Sequence, residues 1–262
     1  MLYWAVFLKN VRQQMMFRSN FLLSIAGSLL FVYVQVAIWQ TLLTHRPDVS
    51  PVGIYAMITH IIIAYAIRTA SRTSFGDKFA TKVNKGSIAL DLIRPVNPKN
   101  MMIAEQLSDN IRSILFTAIP MALFSWLVWG LEGTTNPTQL GMFAVSAMLA
   151  VSMAFYIEYI FGMLVFWTRD SVYTRQLLGG MQAVFSGAAV PLWFYPDWLR
   201  TFGYFLPFRF MAFEPIQIFL ATVSVEESAR ILLWQVGWLL VLWLVERLIW
   251  GKIKNNIFVQ GG

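Results

Sequence analysis

The sequence predicts an all-α, polytopic membrane protein with six transmembrane helices. Of its 262 residues, 58% are hydrophobic and only 13% are charged, whereas a soluble domain carries about 25% charged residues. The apolar residues occur in blocks of 20 or more, and roughly 20 residues allow a helix to cross about 30 Å of hydrocarbon. The chain contains no cysteine, which excludes disulfides, thiolate metal sites and cysteine nucleophiles.

The first twenty residues predict a helix that lies in the membrane interface before the first span. Trp4, Val11 and Met15 recur at helical spacing, while Lys9 and Arg12 take the opposite side. Two interpretations stay open: a simple interfacial anchor, or an elbow helix that helps to dock a cytoplasmic partner. The segment lacks the order of a cleavable signal peptide, so we expect it to be retained.

Six apolar blocks, bounded by polar residues, glycine or proline, predict the transmembrane helices. They cover residues 21–44, 51–69, 109–131, 138–167, 175–195 and 228–250. With the interfacial helix at 1–20, a cytoplasmic segment at 70–100 and an outer-face segment at 187–227, they form a single transmembrane domain over residues 1–262.

The distribution of lysine and arginine predicts that both termini are cytoplasmic. An even number of spans places both termini on one side, and basic residues favour the cytoplasmic side. The termini then share their side with all of the 20 lysines and arginines except Arg46, Arg200, Arg209 and Arg230. This topology and contact with anionic membrane lipids explain the net charge of +7, so no nucleic-acid partner is needed.

The longest predicted cytoplasmic connection, RTASRTSFGDKFATKVNKGSIALDLIRPVNPKN, is expected to form a short amphipathic helix. Phe75, Phe79 and Val83 fall one helical turn apart among charged residues, and Gly86 stands where such a helix would end. Since basic loops beside a membrane are often simply solvated, composition alone assigns this connection no function.

The sequence offers no motif for catalysis or metal binding. The phosphate-loop pattern GxxxxGKS or GxxxxGKT, HExxH and GxSxG are all absent, and the two histidines, His45 and His60, are far apart. We therefore expect this chain to have no catalytic residue and to bind no metal or cofactor by itself, although a site made of carboxylates alone stays open.

Two ionisable residues fall within predicted spans, where burial is costly and such side chains tend to be paired or functional. Glu158 lies about two thirds of the way along the fourth span, and His60 lies midway along the second. The structural interpretation of Glu158 is a hydrogen bond to Tyr156, to Tyr159 or to a neighbouring helix, and His60 has a similar one. The functional interpretation is a polar group in a substrate path, suited for example to an organic cation.

The stretch GAAVPLWFYPDWLRTFGYFLPFRF is too broken for one span and too apolar for an ordinary water-facing loop. Its prolines, Pro191, Pro196 and Pro207, are expected to end helical runs and to turn the chain back. Trp193 and Tyr195 either anchor the stretch at the membrane interface or line a substrate path.

Two segments in order, NKGSIALDLIRPVNP and SGAAVPLWFYPDWLRTFGYFLPFRFMAFEPIQI, carry a family resemblance. With the interfacial helix, the six spans and the terminal QGG, the chain resembles the permease subunits of type-2 ATP-binding-cassette exporters over nearly its whole length. More narrowly, it resembles the bacterial branch that has two related half-size permeases and a separate ATPase. The resemblance implies a bacterial cytoplasmic (inner) membrane protein whose partners are nucleotide-binding ATPase subunits, which bind ATP and Mg, and a second, related permease.

The resemblance also implies roles for the two unusual segments. The cytoplasmic segment is expected to form a coupling helix that seats in a groove of the ATPase. The residues of this segment expected to make the coupling contacts are Phe75, Phe79, Lys82, Lys85 and Arg94. The broken stretch is expected to form a re-entrant hairpin between the fifth and sixth helices, with Glu158, His60, Trp193 and Tyr195 along the substrate path.

The predicted function is that of the transmembrane subunit of an ATP-driven exporter for a hydrophobic or amphipathic compound, such as a drug, a peptide or a lipid-like molecule. One alternative is a gradient-driven secondary transporter, which should show inverted repeats and several coupled charges inside the membrane. The few ionisable residues in the predicted spans argue against it. The other alternative is a membrane scaffold that forms stable complexes without moving a substrate.

Overall fold

The computed structural model describes residues 18–71, 78, 81, 98–168 and 170–259, and within these residues every regular element is a helix or a helical turn. The long helices are α1 (Arg18–His45), α2 (Ile54–Ala70), α3 (Pro98–Ser113), α4 (Ile119–Trp129), α5 (Pro137–Thr168) and α6 (Ser171–Phe185). Residues 186–224, here called the cap segment, contain α7 (Asp197–Tyr204), α8 (Phe213–Phe219) and two 3-10 turns, Leu192–Phe194 and Pro207–Met211. The last helix is α9 (Val225–Val259).

In the described part of the chain, four helical stretches are long and apolar enough to cross a membrane. They are Leu23–His45, Ile103–Trp129, Pro137–Thr168 and Val225–Ile253, in the places of the first, third, fourth and sixth predicted spans. Helix α2 is apolar but has 17 residues, and α6 has 15. The prediction of an all-α membrane protein is thus confirmed for the described residues. The count of six spans is not confirmed, because four helices there are long and apolar enough to span.

The fifth predicted span, 175–195, is wrong at its end, because α6 stops at Phe185. Gly187 adopts a left-handed φ of 68°, which glycine takes without steric cost. The carbonyl of Ser186 accepts a hydrogen bond from Phe213 N at 3.1 Å. A tertiary contact therefore turns the chain where the apolar composition alone predicts that the helix continues.

The third predicted span begins at 109, but the helix begins at Pro98. Proline suits this position because the first N–H groups of a helix have no partner within it. A π-helical turn, Ile114–Ala118, joins α3 to α4. The wider turn is explained by Pro120, which has no N–H to donate and whose ring crowds the carbonyl four residues earlier.

The interfacial helix predicted for residues 1–20 lies outside the described residues, except that 18–20 already belong to α1. Nearly all of the segment predicted at 70–100 to reach the ATPase lies outside them as well. The interfacial helix and the coupling segment therefore stay predictions.

Among the described residues, the buried side chains form two larger clusters and one smaller one. The first cluster joins α1, α2 and α4 through residues that include Val32, Ile62 and Met121. The second joins α5, α6 and α9 to the later part of the cap segment. The smaller cluster lies between them, where α2 meets Ala150 of α5 and Ile216 of α8. Because lipid tails are as apolar as these side chains, the contacts stabilise a membrane bundle mainly through close packing.

Candidate functional site

The residues predicted to contact an ATPase lie outside the described residues; they are Phe75, Phe79, Lys82, Lys85 and Arg94. Within the same segment, Lys78 is described and lies beside two carboxylates of α3. Its Nζ is 3.4 Å from Glu105 Oε2 and 3.5 Å from Asp109 Oδ2. The two acids are one helical turn apart on α3, so one lysine can contact both. Partly exposed ion pairs contribute only about 0–1 kcal/mol to stability, so this contact fixes the position of Lys78 more than it stabilises the fold.

The three prolines of the cap segment each stand at the start of a helical run. Pro191 precedes the first 3-10 turn, Pro196 precedes α7, and Pro207 is the first residue of the second 3-10 turn. The sequence predicts that they end helical runs, whereas the structure places them before the next one. A fixed φ and a missing N–H are both tolerated at that position.

His60 ties α2 to the beginning of the cap segment. Its side chain is fully buried, and its Nε2 lies 2.9 Å from the carbonyl oxygen of Gly187. A carbonyl can only accept a hydrogen bond, so Nε2 carries the proton and donates it. A Cβ added to Gly187 would lie 2.8 Å from Phe213 Cβ, so only glycine brings the backbone this close.

Trp193 meets His60 in an edge-on ring contact, with 5.6 Å between ring centroids. The same indole packs against Phe213, with a centroid distance of 5.3 Å. The ring of the next residue, Phe194, packs against Trp39 of α1, with 4.8 Å between ring centroids. The structure therefore brings together two of the residues predicted for the substrate path, His60 and Trp193, at the end of the bundle covered by the cap segment.

The other two predicted path residues lie elsewhere. The hydroxyl of Tyr195 donates to Val184 O in α6 at 2.6 Å, and burial raises the pKa of this phenol. Glu158 is half-buried on α5 and takes part in an interaction within the protein. It lies about 12 Å further along α5 than Ala150, which is buried in the same cluster as Ile63 and Ala64 of α2. Glu158 and His60 thus belong to different levels of the bundle.

The cap segment has a second attachment, which the sequence did not single out. Gln235 of α9 is fully buried, and its Nε2 donates to Phe210 O at 3.0 Å and to Ser146 O of α5 at 3.1 Å. Ser146 Oγ donates in return to Gln235 Oε1 at 2.9 Å. An amide within an apolar span was the signal that could have found this site, because polar side chains in spans join helices by hydrogen bonds.

An ion pair stabilises the later part of the cap segment from within. Arg209 Nη1 lies 2.9 Å from Glu214 Oε1, and the two side chains are only 18% and 10% exposed. The Arg209 guanidinium also lies 4.5 Å from the ring centroid of Tyr204, a favourable cation–π distance. Burial raises the pKa of Glu214, and the positive charge of Arg209 opposes that shift. No spacing or motif in the sequence pointed to this pair.

Within the described part of the chain, no three His, Asp or Glu side chains lie together as a potential metal site. Hydrogen bonds and ring contacts join the cap segment to the helices, and a buried ion pair lies within it. A family model described as ABC-2 family transporter protein matches residues 22–255, which takes in α1, the cap segment and most of α9. A search of curated proteins finds none that matches. The chain therefore belongs to the ABC-2 transporter family.

Proposed function

We propose that this chain is the transmembrane subunit of an ATP-driven exporter and forms the substrate path together with a second, related permease. The observation that carries the proposal is the family match over residues 22–255. An ABC-2 permease is the non-catalytic membrane component of its transporter and associates with an ATPase subunit, which in this proposal binds ATP and Mg. The cargo is a hydrophobic or amphipathic compound, such as a drug, a peptide or a lipid-like molecule.

In this proposal the chain crosses a bacterial cytoplasmic membrane six times, and both termini are cytoplasmic. Helix α2, with 17 residues, is about 26 Å long and so nearly spans the hydrocarbon core. Helix α6 is shorter, and the cap segment continues from it as a re-entrant hairpin at the outer face. Non-helical backbone is tolerated at such depth where protein satisfies it, and the hydrogen bond from His60 to Gly187 O supports this arrangement.

The segment at 70–100 couples the permease to the ATPase in this proposal. Its phenylalanines, Phe75 and Phe79, seat in the ATPase groove, and its basic residues Lys82, Lys85 and Arg94 flank them. The ion pairs of Lys78 with α3 support this role, because they give the segment an attachment to a membrane helix. Closure of the ATPases can then shift the permeases between inward-open and outward-open states.

The proposed substrate path includes His60 and Trp193 at the cap end and Glu158 deeper in the bundle. Tyr195 contributes from the neighbouring turn. Their separation along the helices means that a cargo meets the ring pair and the carboxylate at different stages of its passage.

The experiment that tests the function is recovery of the tagged chain from native membranes in mild detergent, followed by mass spectrometry and an ATPase assay. We expect a nucleotide-binding subunit, a second permease and ATP turnover. The double substitution Phe75→Ala and Phe79→Ala should reduce the ATPase recovered at least about tenfold, as expected when two interface anchors are lost. Leu127→Ala, at a side chain that is 78% exposed on α4, is the matched control and should recover the complex normally. A chain that comes alone and without ATPase activity would contradict the exporter, and a flux assay driven by an ion gradient would then separate a secondary transporter from a scaffold.

A further inference from the structure

The cap segment is attached to two different groups of helices. Its early part, which contains Trp193 and Phe194, packs on the cluster formed by α1, α2 and α4. Its later part, which contains Phe208 and Phe210, packs on the cluster formed by α5, α6 and α9. A movement of one group against the other must therefore loosen one of these two attachments.

The attachment to α5 and α9 is the more completely bonded. Gln235 uses both its donor and its acceptor atoms on Ser146 and Phe210. The ion pair between Arg209 and Glu214 adds a bond inside the same part of the cap segment. A buried amide whose hydrogen bonds are satisfied, as those of Gln235 are, makes a rigid joint, although Arg209 Nε and Gln217 Nε2 in the same part of the cap segment are buried without a hydrogen-bond partner in the protein.

The attachment to α1, α2 and α4 is the less completely bonded. Among the described residues, the hydrogen bond from His60 to Gly187 O is the only one that joins these three helices to the cap segment. His60 Nδ1 and Trp193 Nε1 are buried without a hydrogen-bond partner in the protein. Each of these atoms raises the free energy of the closed arrangement and would gain a partner on exposure to water or to a polar cargo.

The rest of this boundary is apolar. Where α2 meets α5 and α8, the contacting side chains are small or aliphatic and include Ile63, Ala64, Ala150 and Ile216. Such surfaces can slide past each other without breaking a hydrogen bond, as packed helices do in shear movements. Apart from apolar packing, one hydrogen bond and the ring contact between His60 and Trp193 hold the early part of the cap segment to α2, and the ring contact between Phe194 and Trp39 holds it to α1.

We propose that His60 is a releasable latch: during transport, α1, α2 and α4 separate from the cap segment at His60 and Trp193, while the cap segment moves together with α5 and α9. His60 acts here as a positioning residue, because it sets which state of the bundle is occupied. The inference rests on the proposed function, since ATP-driven closure of the ATPases supplies the movement.

The chain has no cysteine, so spin labels can be attached at introduced cysteines alone. The reporting pair is Ile38→Cys on α1 and Trp198→Cys on α7, and the reference pair is Trp198→Cys with Leu233→Cys on α9. All three native side chains are more than half exposed. Distances are measured by pulsed dipolar EPR in the reconstituted transporter complex, without nucleotide and after trapping with MgATP and vanadate. We expect the reporting distance to change on trapping and the reference distance to stay constant.

A second measurement uses substitutions of His60 in the nucleotide-free complex. His60→Leu removes the donor to Gly187 O. It should raise the fraction of complexes that show the reporting distance of the trapped state about five- to tenfold, which is the effect of losing one net hydrogen bond. His60→Gln keeps an N–H at a similar reach and should restore the original distribution, which a merely structural role for ring volume would not produce. If His60→Leu fails to fold, the trapping experiment on the chain with native His60 still decides.

Two outcomes overturn the latch. One is an unchanged reporting distance in a complex that hydrolyses ATP and transports; the proposed function then stands and the latch falls. The other is a reporting pair that stays fixed while the reference pair moves, which would mean that the cap segment remains with α2. A complex without ATP-dependent transport contradicts the proposed function instead, and the comparison of His60→Leu with His60→Gln still tests the latch by itself.

Discussion

Replacing Gln235 by leucine tests whether hydrogen bonds hold the cap segment to α5 and α9. Leucine has a similar volume and favours a helix, so the substitution removes the amide with little change in packing. Three hydrogen bonds are lost, two with Ser146 and one with Phe210 O. Hydrogen bonds between membrane helices contribute about 0.6 kcal/mol on average and up to about 1.7. We expect Gln235→Leu to lower the free energy of unfolding by about 2–3 kcal/mol.

The assay is equilibrium unfolding in mixed micelles of mild detergent and increasing dodecyl sulfate, followed by circular dichroism. Ser146→Ala removes only the bond from Ser146 Oγ and should cost about 0.6–1 kcal/mol. Leu233→Ala on the exposed face of the same helix is the control and should change stability by less than about 0.5 kcal/mol. The reasoning is refuted if Gln235→Leu is as stable as the native chain, or if Ser146→Ala costs as much as Gln235→Leu.

Two further changes in the cap segment have defined outcomes. Arg209→Met leaves the buried Glu214 carboxylate without its positive partner and should cost about 3–5 kcal/mol. Burial already raises the pKa of Glu214, and the pKa rises further without Arg209, so the carboxyl protonates more readily. The loss of stability caused by Arg209→Met should therefore shrink as the pH falls. Unfolding at two pH values checks this, and an equal loss of stability at both would contradict it. Gly187→Ala adds a Cβ at a left-handed φ and 2.8 Å from Phe213 Cβ, so thermal unfolding should show a loss of about 2–4 kcal/mol. Gly179→Ala within α6, where a Cβ meets no atom within 4 Å, is its control and should be neutral or slightly stabilising; similar effects at both glycines would refute the steric account.

The fourth span was predictable because composition and punctuation agree at both of its ends. It was predicted at 138–167, and α5 runs from Pro137 to Thr168, since a proline begins the helix and a charged pair follows it. The end of α6 was not predictable, because the apolar run continues past Phe185. What stops the helix is the close approach of Gly187 to Phe213, a contact between residues far enough apart that only the folded chain reveals it.

The candidate site was predictable in its chemistry but not in its partners. His60 stood out because an ionisable side chain inside a span is costly. Its acceptor, Gly187 O, lies 127 residues further along the chain, and no local pattern encodes a bond over that distance. Gln235 was missed although it is a polar residue in an apolar helix, because only ionisable side chains in the spans were considered. A neutral amide also has two donors and an acceptor for hydrogen bonds.

The polar side chains inside the bundle also explain why these helices associate as they do. In lipid, apolar contacts do little to select one helix partner over another, so buried hydrogen bonds contribute to the choice. Tyr65 of α2 donates to Ser28 of α1 at 3.0 Å, and Gln235 joins α9 to α5. Each helix group thus contains its own polar bond, whereas in the described part of the chain one hydrogen bond, from His60, joins α2 to the cap segment. A bundle bonded more completely within its groups than between them will move at that boundary before either group comes apart.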